Sequence, residues 1–155
     1  MTGKRRKTEL DEMDLKILHE YLKDSRASSR EISRRLKTTP GTVISRTRRM
    51  ERLGIIKGYS VKLDYEKLGY EITVVTEFTV SKGKLVDVEK RVARIPQTVC
   101  VYDVTGDVDA IVVAKFRSRE ELSKFTKELL SIPYVERTNT HVVLNTVKED
   151  FTLPL

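Results

Sequence analysis

The chain has 155 residues, 34% of them charged and 39% hydrophobic, with no tryptophan and a single cysteine, Cys100. That length suits one average domain or two small ones, and one cysteine excludes an internal disulfide, as expected of a reducing, cytoplasmic setting. No apolar run approaches the roughly 18 residues of a membrane helix, so a membrane partner is not expected. The net charge of +7 is unevenly placed. Residues 1–60 hold 16 Lys and Arg against 8 Asp and Glu, whereas residues 61–155 hold 14 against 15. A basic head on a neutral body predicts two domains and a polyanionic partner for the first.

Residues 1–9, with Lys4, Arg5, Arg6 and Lys7, read as a basic tail with no apolar stretch behind it to make a signal peptide. Such a tail is either a solvated arm or a phosphate contact. A first helix is predicted from Asp11, which can cap Asp14, with Leu10 and Leu15 as a hydrophobic staple. Leu15, Leu18 and Leu22 recur at helical spacing, with Ile17 and Tyr21 widening the stripe. A second helix opens at Ser28-Ser29-Arg30-Glu31, a capping box, and offers Ile32 and Leu36 to a core. A third begins with Thr39 as cap and Pro40 at the first helical position, and stops at Gly54. On a wheel of about 100° per residue Val43, Thr47 and Met50 face inward. Gly41, Thr42, Ser45, Arg48, Arg49 and Arg52 lie opposite, with Arg46 on the flank.

Seven arginines fall between Arg30 and Arg52, on two short helices joined by the tight Lys37-Thr38-Thr39-Pro40 break. This is the layout of a helix-turn-helix reader of double-stranded DNA, here spanning residues 10–54. Small residues let the start of the third helix enter a major groove. Thr42, Ser45, Arg46 and Arg49 are therefore expected to reach base edges, and Arg34, Arg35, Arg48 and Arg52 to hold phosphates.

Residues 55–64 are rich in β-branched and aromatic types and alternate at Tyr59, Val61 and Leu63, which reads as a strand, either a wing or a linker (55–70) ending at Leu68-Gly69-Tyr70. From Glu71 the period changes to two. A strand over 72–80, a helix over 84–94, strands over 98–104 and 109–116, a helix opened by the Ser118-Arg119-Glu120-Glu121 box and a strand over 135–147 give the order βαββαβ. Ile-Pro follows both helices, at 95–96 and 132–133, as in two halves of one motif. The expected fold class is α+β: a winged-helix-like head and a ferredoxin-like domain over 71–155. Such a sheet has one open face, and a second copy of the chain is the natural partner for it. Cys100, inside an apolar strand, is expected to be a buried thiol. An RNA-binding sheet would need aromatic residues on the central strands, where only Tyr102 and Phe116 stand. Cys100, His19 and His141 lack metal-ligand spacing, and no nucleophile–base pair or phosphate-binding glycine loop is present. The chain is not expected to be an enzyme or to hold a metal or cofactor.

The helix-turn-helix, the linker and a βαββαβ domain containing Thr105-Gly106-Asp107-Val108-Asp109 together resemble the leucine-responsive regulatory protein/AsnC (Lrp/AsnC) family of transcription regulators, from Leu10 to Val147. The most specific stretches are residues 10–18, Thr39-Pro40-Gly41-Thr42-Val43 with Arg48-Arg49-Met50-Glu51 and Gly54, and the 105–109 loop. The resemblance implies homodimers, often assembled into octamers, that sense amino acids through their second domains. It also implies effector contacts from Gly106 and Asp109, and from Thr140 and His141 on the last strand. An aspartate suits an ammonium group, and backbone N–H groups suit a carboxylate. By the residues alone, the loop is equally an ordinary turn and His141 an ordinary strand residue. The alternative function is an architectural, DNA-organising protein of low sequence specificity that needs no effector.

Overall fold

The computed structural model describes residues 10–81 and 83–155; the basic tail expected at 1–9 lies outside the described residues. The chain divides into two compact units, one running to Lys62 and including Asp150–Leu155, the other Leu63–Glu149. No helix among the described residues is long and apolar enough to cross a membrane.

The first unit is built on α1 (Glu12–Lys23), α2 (Ser29–Arg35) and α3 (Pro40–Arg52). All three start where cap chemistry puts them. Asp11 accepts the Asp14 N–H while the Asp14 carboxylate accepts the Asp11 N–H, and Ser28 and Glu31 do the same for α2. Thr39 accepts the Thr42 N–H above Pro40. Lys37 takes a left-handed backbone (φ 52°) in the α2–α3 turn, and Gly54 (φ 68°) follows the end of α3. The core is Ile17, Ala27, Ile32, Val43 and Met50, with Met13, Leu18, Tyr21, Leu36, Ile55 and Ile56 packed around it. The stripe on α1 is therefore centred on Ile17. Leu15 and Leu22, expected to share it, are exposed, because α1 meets its neighbours along the flank of Ile17, Tyr21 and Met13.

Two expectations about the chain around this unit are corrected. Residues 55–64 form no strand: a strand exists only with a ladder partner, and among the described residues this segment has none. The terminal Asp150–Leu155 belongs with the first unit instead of the second, tied by Lys62 Nζ to Asp150 Oδ2 at 3.1 Å. A backbone N–H from Thr152 and then Lys62 hold the Asp150 carboxyl down at about 2.

The second unit contains β1 (Ile72–Val80), α4 (Leu85–Val92), β2 (Thr98–Asp103), β3 (Ala110–Phe116), α5 (Arg119–Ser131) and β4 (Val135–Val142) in the predicted order. The sheet is antiparallel, ordered β2-β3-β1-β4. Alternation sends Val74, Thr76, Phe78 and Val80 of β1 to the helical side, beside Ala110, Val112, Ala114 and Phe116 of β3. There they pack with Val88 and Val92 of α4 and Phe125 and Leu129 of α5. The other face carries Val75, Val113 and Cys100 in register, next to Glu77, Ile111 and Tyr102. No helix of this unit covers it. Cys100 is accordingly half-buried, not the sequestered thiol expected from its apolar strand. Phe116 faces the helices against Phe125, which leaves Tyr102 as the one aromatic of β2 and β3 on the open face.

Candidate functional site

Helix α3 presents three surfaces. Val43, Thr47 and Met50 are buried. Gly41, Ser45, Arg48 and Arg52 are exposed on the opposite side, and among the described residues neither Arg48 nor Arg52 has an ion-pair partner. Ile44, unremarked in the sequence, is exposed one turn before Arg48. Thr42 is half-buried, its hydroxyl 2.9 Å from the Thr39 hydroxyl inside the cap.

The third surface redirects two of the expected groove contacts. Arg46 donates to Asp14 Oδ1 at 2.9 Å and to Asp11, and Arg49 donates to Asp14 Oδ2. The Asp14 side chain is 0% exposed. At three-residue spacing Arg46 and Arg49 share the flank of α3 that faces the start of α1, so Arg49 is turned further from solvent than an ideal wheel places it. A hydrogen bond from Arg46 is the main force holding the Asp11 carboxyl below its usual range. On α2, Arg35 donates to the buried Glu20 at 2.9 Å, shared with Lys23. Arg34 is exposed and, among the described residues, has no ion-pair partner. The cluster of seven arginines is thus divided: Arg35, Arg46 and Arg49 pair with carboxylates at or in α1, while Arg30, Arg34, Arg48 and Arg52 are exposed and have no ion-pair partner among the described residues.

In the second unit the 105–109 loop joins β2 to β3. Gly106 (φ 128°) supplies a backbone conformation that a side chain would disfavour. Asp109 is committed to the fold. Its Oδ2 accepts the Val80 N–H at 2.7 Å, its N–H donates to Phe78 O, and its carbonyl accepts the Val104 N–H. Thr140 and His141 point to opposite faces of β4. Thr140 lies 3.0 Å from the Thr76 hydroxyl, on the helical side, while His141 pairs with Val75 on the open side, 3.5 Å from Glu77 Oε2. Period-two alternation forbids both from lining one pocket through their side chains. None of the four expected effector residues lines the cavity nearest the loop. That cavity, of about 220 Å³, is bounded by Glu77, Phe78, Thr79, Asp107, Val108, Arg137 and Asn139. The signal for Arg137 and Asn139 was in the sequence: two-residue steps back from His141 put them on its face. Asn139 donates to Glu77 Oε2 at 3.3 Å, whereas Arg137 and Asp107 have no ion-pair partner among the described residues.

The profile of the Lrp/AsnC ligand binding domain matches residues 73–153, and that of a winged helix-turn-helix DNA-binding domain matches residues 10–57. The chain belongs to the Lrp/AsnC family. An uncharacterized HTH-type transcriptional regulator of Pyrococcus furiosus is 49% identical over 94% of this chain and 98% of its own. The HTH-type transcriptional regulator FL11 of Pyrococcus horikoshii is 38% identical over 94% and 97%. Among solved structures, a transcriptional regulator of Neisseria meningitidis in complex with L-Met is 25% identical, covers 94% of this chain and 97% of its own, and superimposes with a TM-score of 0.85. This Lrp/AsnC chain is a DNA-binding transcription regulator and not an enzyme. Its ligand-binding domain contains the loop and the Arg137–Asn139 cavity.

Proposed function

We propose that this Lrp/AsnC protein is a sequence-specific regulator that acts as a homo-oligomer and responds to an amino acid. The observation that carries the DNA reading is the outer face of α3, where small Gly41 and Ser45 precede Arg48 and Arg52, which have no ion-pair partner among the described residues. Ser45 and Thr42 enter the major groove, Ile44 offers an apolar contact to a thymine methyl, and Arg34, Arg48 and Arg52 hold phosphates. Arg46 and Arg49 fix the angle of α3 through Asp14 and reach DNA only by exchanging that partner. Two heads of a symmetric dimer address half-sites about 34–36 Å apart, or multiples of that.

The amino-acid reading rests on the cavity beside the loop. Arg137 suits a carboxylate, and Asp107 with Glu77 suits an ammonium, so the walls match a zwitterion. The L-Met complex of the Neisseria regulator supports this class of ligand. A thermal-shift panel of the twenty amino acids tests it, since a ligand at 100 times its Kd stabilises by about 2.7 kcal/mol. One or a few positive amino acids, lost in Arg137→Ala, is the expected result; twenty flat traces would overturn the reading. A second function, DNA organisation without an effector, is favoured by one observation: the Asp109 carboxylate is consumed by the Val80 N–H. Flat traces with equal affinity for random and selected duplexes would support that function.

A further inference from the structure

The near-neutral second unit conceals a concentrated positive site. Lys84, Asp87, Arg91 and Arg94 recur at three- and four-residue spacing along α4 and past its end, so they share one side of it, with Lys90 adjacent. Val88 and Val92 anchor the helix to the sheet. The Pro133-Tyr134 connection between α5 and β4 forms the facing wall, and the two enclose a cleft of about 420 Å³. Among the described residues, none of its four cations has a carboxylate partner, in contrast to Arg35, Arg46 and Arg49. Asp87 is the single acid among the described residues that line the cleft.

Tyr134 adds an independent sign. Its backbone is left-handed (φ 77°), a conformation costly for an aromatic residue and free for glycine. The Ser81 N–H fixes it there by donating to the Tyr134 carbonyl at 2.9 Å, and Lys84 Nζ stands 5.3 Å from the ring centroid. The strain holds an aromatic wall beside a group of unpaired cations, where the fold alone would accept a glycine.

We propose that this cleft is a second anion site, separate from the helix-turn-helix, which binds adjacent phosphoryl groups. Guanidinium forks at Arg91 and Arg94 match phosphate oxygens two at a time, and Lys84 and Lys90 supply point charges at the edges. The phosphoryl groups come either from a free polyphosphate compound or from the backbone of bound duplex DNA.

The test titrates the full chain with tripolyphosphate by calorimetry, and separately with a random-sequence duplex across a range of salt. Arg91→Gln with Arg94→Gln changes only exposed side chains and so keeps the fold. The double variant is expected to lose about tenfold or more in tripolyphosphate affinity, whereas Arg48→Gln retains it. If duplex is the source, the double variant also flattens the salt slope by about two units. If the source is a free compound, the slope is unchanged while tripolyphosphate binding falls. Tyr134→Gly supplies a second reading: a higher melting temperature without ligand, together with weaker tripolyphosphate binding. Equal tripolyphosphate affinity and equal salt slope in wild type and double variant would overturn the proposal.

Discussion

Single residues in this protein are divided between holding the fold and meeting a ligand, and the division is readable from their partners. Asp109 is the clearest case. With its carboxylate removed, the Val80 N–H loses its acceptor, so Asp109→Ala is expected to cost about 1–3 kcal/mol by denaturant unfolding. Asp109→Asn keeps an acceptor oxygen and should stay near wild type; a neutral Ala variant would show that the bond contributes nothing. Glu89 is the opposite case, a carboxylate whose Oε1 is buried with no hydrogen-bond partner among the described residues. Burial, and then repulsion from Asp103, hold its carboxyl above the usual range. The folded state therefore binds this proton more tightly than the unfolded chain does. The stability it gives is complete at low pH and is lost as pH rises through the folded-state value. Glu89→Gln should raise the melting temperature at about pH 7 and leave it unchanged at about pH 3. An equal shift at both pH values would point to packing instead of charge.

At the scale of elements, most of the fold was legible because caps and periodicity are local. Asp11, Ser28, Thr39 and Ser118 each cap the helix they precede, and period two placed β1 and β3 to within a residue. What was illegible depends on partners distant in sequence. The Arg46–Asp14 pair spans 32 residues and the Arg49–Asp14 pair 35, so counting arginines could not tell a structural guanidinium from a free one. Residues 55–64 have strand composition and no strand, because pairing is not a property of the segment itself. The family likeness implies positions for Thr140 and His141 but not their faces, and the strand register separates their side chains. The α1–α3 clamp gives the element-level prediction. Replacing both Arg46 and Arg49 by Ala leaves the buried Asp14 carboxylate without its cations and should cost about 3–5 kcal/mol. Ordinary surface arginines would change stability by no more than about 0.5 kcal/mol, and a denaturant titration separates the two outcomes.

For the molecule as a whole, two units share the work. A basic helix-turn-helix contacts DNA, and a ferredoxin-like domain offers an open sheet face and the cavity lined by Arg137 and Asn139. Val113 lies at the centre of that open face, paired with Val75 and Cys100. If the face joins copies of the chain, Val113→Arg should convert the wild-type oligomer to a smaller species by light scattering while α4 and α5 still cover the other side. An unchanged mass would show that this face does not join copies of the chain. The outward-facing Arg48 and Arg52 of α3, distinct from the arginines tied to Asp14, have the proposed role of holding DNA phosphates. Its most direct test is the salt dependence of duplex affinity for wild type and for Arg48→Gln with Arg52→Gln. The double variant should show a slope flatter by about two units with an unchanged melting temperature. An unchanged slope would contradict it.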